Sequence, residues 1–232
     1  SVGCDDWLEN ASRTSSEWMV RHAAFAALEK RAPLRAAEVA KQLATDAYPR
    51  VRALALASLV NTPDRKVVET RATEDGWPLV RRAAVQSLAS NRDATSVLRV
   101  AVDDTSRRVR SAAVDALAAL SDRDAWSLVQ ARLVAPGEWP EVHASAMRFA
   151  RALCIQEARE PLLFALRHAL RDDASDDDVK LGLEALRALH DLGGAASADA
   201  LLVALREGSP PGLVRVAKAL PPPRCPQTGR AP

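Results

Sequence analysis

Val109-Arg110-Ser111-Ala112-Ala113-Val114-Asp115-Ala116-Leu117-Ala118-Ala119-Leu120 is the stretch whose reading decides the fold. Its apolar positions Val109, Ala112, Ala113, Ala116, Leu117 and Leu120 fall at i, i+3, i+4, i+7, i+8 and i+11, which is one face of an amphipathic helix. The same face recurs at Val80, Ala83, Ala84, Ser87 and Leu88, and again at Val20, Ala23, Ala24, Ala27 and Leu28. A helix this short is marginal in isolation, so its apolar face has to be covered by a neighbour.

The neighbour is supplied by repetition. A valine followed by a basic residue or histidine recurs at Val20-Arg21, Val51-Arg52, Val80-Arg81, Val109-Arg110, Val142-His143, Val179-Lys180 and Val214-Arg215, at intervals of 31, 29, 29, 33, 37 and 35 residues. A period near 30 is too long for a heptad and too short for a domain, and it fits one helix–turn–helix unit. Each such helix, termed A, runs into breaker and capping residues such as Asn61-Thr62-Pro63-Asp64, Ser90-Asn91-Arg92-Asp93 and Ser121-Asp122-Arg123-Asp124. A second apolar-patterned segment follows, such as Thr95 to Val102 or Trp126 to Leu133, and is termed helix B. Residues 5–14 read as the remnant of a preceding helix B, and the proline-rich 221–232 cannot be helical.

The recurring Asp-(x)4-Val-Arg-x-Ala-Ala-(x)3-Leu pattern resembles HEAT repeats, and most closely their short, phycobilisome-lyase-like subgroup. It stands as Asp75…Val80-Arg81-Arg82-Ala83-Ala84…Leu88 and Asp104…Val109-Arg110-Ser111-Ala112-Ala113…Leu117, and the likeness extends over roughly residues 16–220. It loosens late in the chain: Gly137 replaces the Asp before Val142, and around Val179 the leucine comes one residue early, at Leu186. The resemblance implies an all-α, right-handed α–α superhelix of HEAT/armadillo-like type, with about six helical hairpins and a terminal half-repeat. The expected layout is a partial repeat over 1–15, the solenoid over 16–220 and a disordered tail over 221–232.

Three rows of residues then stand out. An acid lies six positions before the basic residue in Asp46/Arg52, Asp75/Arg81 and Asp104/Arg110. An Asp at a helix entrance can cap free N–H groups and accept from an Arg of an adjacent repeat. The resemblance implies that these six residues form an internal Asp–Arg ladder. A second row, Arg71, Arg99, Arg132, Arg167 and Arg206, is expected on the B helices, which in HEAT-like solenoids line the concave face. There it would meet acidic side chains, a carboxylate tail or phosphates, or else form a solvated helix face. The third row is aromatic: Tyr48-Pro49, Trp77-Pro78 and Trp139-Pro140 start A helices, with proline at home in the first turn. These rings would either cover the adjoining turn or anchor a partner. Trp18 and Trp126 are expected to pack in or beside the core.

Composition narrows the function classes. The net charge is +2, so nothing global draws in a polyanion, and nucleic acid is not expected as a partner. Cys4, Cys154 and Cys225 are odd in number and far apart, and read as core or incidental thiols. No apolar run approaches the ~20 residues of a membrane span. A cytoplasmic location is the default, with lipoprotein anchoring through Cys4 as the alternative that Ser1-Val2-Gly3-Cys4 suggests. The acids of Asp172–Asp178 lack the spacing and turn glycine of a calcium loop and read as a helix-entrance loop. His22, His143, His168 and His190 are scattered, and no phosphate-binding, nucleophile-elbow or zinc motif is written. No cofactor or metal is expected, and no catalytic set. The expected function is a scaffold that binds another protein. The alternative is a HEAT-like enzyme or accessory, such as a bilin-lyase-like subunit or an alkylpurine DNA glycosylase-like protein.

Overall fold

The computed structural model describes residues 2–225, as two compact units, 1–120 and 121–232. The first contains α1 (Val2–Thr14), α2 (Trp18–Arg31), α3 (Pro33–Leu43), α4 (Pro49–Ala55), α5 (Arg65–Glu74), α6 (Pro78–Leu88), α7 (Thr95–Ala101) and α8 (Arg107–Ala119). The second contains α9 (Trp126–Val134), α10 (Pro140–Ala152), α11 (Arg159–His168), α12 (Asp176–Leu192), α13 (Gly194–Ala204) and α14 (Pro211–Lys218). Among the described residues there is no strand, and the fold is all-α and HEAT/armadillo-like.

The A helices are α2, α4, α6 and α8 in the first unit, each packed on the next. In the second unit α10, α12 and α14 continue the pattern in the same way. The B helices lie beside them, with α5 against α6 and α7, and α11 against α12 and α13. Residues 5–14, read from sequence as the remnant of a B helix, fall within α1, which packs on α2 and α3. Proline occupies the first turn of α3, α4, α6, α10 and α14, where its missing N–H costs no helix bond.

The apolar faces predicted by the pattern supply the core in α6 and α8, while in α2 only Ala24 and Leu28 of the predicted face are buried and Val20 and Ala23 are exposed. Val51, Val80, Val109 and Val142 are fully buried, as are Leu88 and Leu117. Each such side chain contributes roughly 1.5–3 kcal/mol on removal from water. In α12 and α14 the register slips by one residue. Gly182, Ala185, Leu186 and Leu213 are buried there, while Val179 and Val214 are only partly covered. Gly182 is required by this packing, because a Cβ at that position would stand 2.3 Å from the Cβ of Ala169. The acid-rich loop enters α12 through a capping box, with Ser175 and Asp178 bonded reciprocally and Asp176, Asp177 and Asp178 in the first turn.

The cysteine reading is corrected. Cys154 and Cys225 form a disulfide with Cα atoms 5.6 Å apart, while Cys4 is a free, exposed thiol. An odd count leaves one cysteine over but does not prevent the other two from pairing across 71 residues of sequence. The stretch from 221, expected as a tail, is accordingly anchored at residues 221 and 225: the carbonyl of Pro221 accepts from His190, and the Cys225 amide donates to the carbonyl of Asp191. Residues 226–232 of that expected tail lie outside the described residues.

Candidate functional site

The site lies where the repeated residues change type. In the first unit the basic residue of one A helix binds the acid that opens the next. Arg21 reaches Asp46 with Nε and Nη2, both at 2.7 Å. Arg52 reaches Asp75 at 2.9 Å through each nitrogen, and Arg81 reaches Asp104 at 2.6 and 2.8 Å. The second carboxylate function is local, because Asp46, Asp75 and Asp104 also accept from the backbone amides of Tyr48, Trp77 and Ser106. The remaining guanidinium nitrogen turns back on its own repeat: Nη1 of Arg52, Arg81 and Arg110 donates to the carbonyl of Asp46, Asp75 and Asp104 respectively. So the Asp six residues before each Arg meets it through the backbone, and meets the preceding repeat's Arg through the side chain. Burial pushes the Asp75 carboxyl up, but the bonds from Arg52 and the Trp77 amide outweigh it and hold the group below its ordinary 3.8. Asp46 and Asp104 are held down by the same balance.

In the second unit the pattern changes residue type. His143 stands where the earlier repeats have Arg, and Gly137 where they have Asp. Gly137 adopts φ 79°, a left-handed conformation natural to glycine. Both line an open groove of about 640 Å3. Its floor includes the buried Leu133 and Met147. Val134 and Phe164 rise beside it, 56% and 71% exposed. The Nε2 of His143 is buried with no hydrogen-bond partner in the described structure, and a buried polar atom left so is costly. At another point of the lining, His168 Nδ1 lies 3.3 Å from Asp178 Oδ1, and the His168 ring leans on Phe164 with centroids 6.1 Å apart. The Ser175 hydroxyl and amide hold the Asp178 carboxyl below its ordinary range, against burial. Exposed Glu160 adds a second carboxylate. In the sequence His143 and His168 are scattered. The usable signal was the pair of substitutions, Gly137 and His143, at two positions of the repeat.

The arginines of the second row have different surroundings. Arg71 lies 3.5 Å from Asp75 and so joins the ladder. Arg99, in the last turn of α7, is half-buried and engaged. Arg132 lies 3.8 Å from Glu138, a carboxylate almost wholly buried. Arg167 and Arg206 are exposed and share a shallow depression with Arg171, Asp172 and Asp173. Arg206 falls in the turn after α13 and not on the helix. The aromatic row also divides. Tyr48 stacks on Trp18, with centroids 3.9 Å apart and planes 18° from parallel, so its role is packing. Trp77 and Trp139 are 57% and 52% exposed. Trp126 stacks on Phe149, which is fully buried.

Stacked helical pairs with a repeating inter-repeat ion pair define an α-solenoid repeat protein. Residues 66–150 match the family model described as HEAT repeats. Among solved structures, Escherichia coli YibA is similar with a TM-score of 0.65 and 15% identity, over 93% of this chain and 82% of that one. The complex of CpcE and CpcF of phycocyanin lyase from Nostoc sp. PCC7120 is similar with a TM-score of 0.53 and 22% identity, over 92% and 85% of the two chains. No curated protein sequence matches this chain.

Proposed function

We propose that this chain is a protein-interaction scaffold whose principal docking site is the groove between α9, α10, α11 and α12. The observation that carries this reading is the coincidence of three features at one place: an apolar floor, the exposed rims Val134 and Phe164, and the unpartnered Nε2 of His143. An apolar groove with a few polar groups suits an inserted side chain better than a flat contact. The occupant is a segment of a partner protein with a large aliphatic or aromatic anchor. The anchor lies between Val134 and Phe164, a main-chain polar group meets His143, and a lysine or arginine faces Glu160 and Asp178. The charge argument is direct, since both carboxylates border the groove and no lysine or arginine lines it.

A random peptide library displayed against the full chain tests this. Selected peptides should share an apolar anchor flanked by a basic residue, and Phe164→Asp should weaken them at least about tenfold, or 1.4 kcal/mol. Glu160→Lys should weaken the basic class selectively. Peptides lost instead on reversal of Arg167 and Arg206 would move the site to the arginine depression and end the groove reading. The lyase-subunit alternative rests on likeness of fold to the phycocyanin lyase complex, and a shared fold does not carry an activity with it.

A further inference from the structure

The segment after α14 is tied down by more than one bond, and each tie lands on the same few residues. Cys225 is 4% exposed and disulfide-linked to Cys154. Its amide donates to the Asp191 carbonyl at 2.9 Å. The carbonyl of Pro221 lies 2.6 Å from His190 Nε2, which must therefore be the protonated nitrogen, and His190 Nδ1 meets the Ser197 hydroxyl at 2.9 Å. Arg224 approaches the Asp191 carboxylate at 3.8 Å, and Arg151 of α10 binds that carboxylate at 2.5 Å. Asp191 is 1% exposed.

The other end of the disulfide is equally specific. Cys154 sits just past α10 with φ 53°, a left-handed position that helix ends normally give to glycine. The Ile155 amide bonds the Ala150 carbonyl and the Cys154 amide the Arg151 carbonyl, which is the pattern of a Schellman stop. A cysteine there accepts an unfavourable backbone conformation while standing in bonding position to Cys225.

We infer that Cys154–Cys225 is a redox-set clasp, which docks residues 219–225 across the ends of α10 and α12 and thereby closes over His190 and Asp191. In forming it, the two thiols lose two protons and two electrons to a disulfide of an exchange partner, which leaves as two thiols. Disulfides of this kind persist in oxidising compartments and are removed in reducing ones. The docked form is thus the form of an oxidising environment. Reduction frees the strap, and with it go the Pro221 carbonyl that His190 uses and the Arg224 guanidinium near Asp191.

The full chain tests this in two measurements. Hydrogen exchange is followed over residues 186–192 and 211–219, before and after a phosphine reductant. Reduction should speed exchange there at least about tenfold and open tryptic cleavage after Lys218. Cys225→Ser should match the reduced protein and respond no further to reductant. Unchanged exchange on reduction, with free thiols verified at 154 and 225, would overturn the clasp. Thiol trapping in acid-quenched cells that make the protein supplies the second measurement: Cys4 should be alkylated while 154 and 225 are protected. Alkylation of all three would overturn the oxidising setting.

Discussion

Arg81 grips Asp104 with two nitrogens, Nε at 2.6 Å from Oδ2 and Nη2 at 2.8 Å from Oδ1, across 23 residues of sequence. Two parallel bonds from a planar guanidinium to a planar carboxylate fix orientation as well as distance. The same geometry at Arg52 and Asp75 has an acid side chain only 1% exposed. Removing one partner leaves the other charged and out of water, which is the costly way to break such a pair. Asp75→Ala should therefore lose about 3–5 kcal/mol, seen as a lower urea midpoint for the first unit. Lys180→Ala, which follows the valine in sequence as the ladder arginines do but is exposed and pairs with exposed Asp177, should leave the midpoint unmoved.

Acid should act through the same carboxylates. Asp46, Asp75 and Asp104 are all held below the ordinary 3.8. A depressed carboxylate binds its proton more readily in the unfolded chain. Its contribution is whole above the ordinary value and is lost as pH falls through the lower, folded one. Urea stability should be level from about pH 7 to 5 and fall below about pH 4. Asp75→Asn, already without that charge, should show a shallower fall between pH 5 and 3.

The two aromatic fates predict opposite phenotypes. Tyr48→Ala breaks the stack on Trp18 and should cost about 0.5–1.5 kcal/mol beyond the lost burial. Trp77→Ala, at an exposed ring, should leave thermal unfolding nearly unchanged. Differential scanning calorimetry of the two variants separates them.

Gly182→Ala should destabilise the second unit by about 1–3 kcal/mol, although alanine is the better helix former. The added methyl would meet Ala169 Cβ at 2.3 Å, and neither backbone is at a flexible end. Gly182→Ala combined with Ala169→Gly should recover most of the loss, read again as a urea midpoint.

Periodicity made the fold legible. Val80 and Val109 and the alanines that follow them marked the buried face, and the Asp before each marked the helix entrance. Strength of pattern was the reason, since each repeat restated it. The site was less legible for the opposite reason. His143 and Gly137 matter as departures from the repeat, and a departure from a pattern looks like noise until the space beside it is known. The one-residue slip in α12 showed in the sequence as the early Leu186, whereas in α14 it was masked by Val214-Arg215, which keeps the motif's letters while Leu213 is the buried residue. The Cys154–Cys225 pair lay beyond sequence reasoning altogether, because only the path of the chain after α14 brings residue 225 to the end of α10.

The ladder also constrains how such a chain can grow. Each repeat offers a cation forward to the next acid and presents an acid backward to the previous cation. Duplicating a whole period, such as the 29 residues from Val51 to Val80, returns every charge to a partner. Duplicating half a period strands one buried charge at each seam. Length in this architecture is therefore added in integral steps.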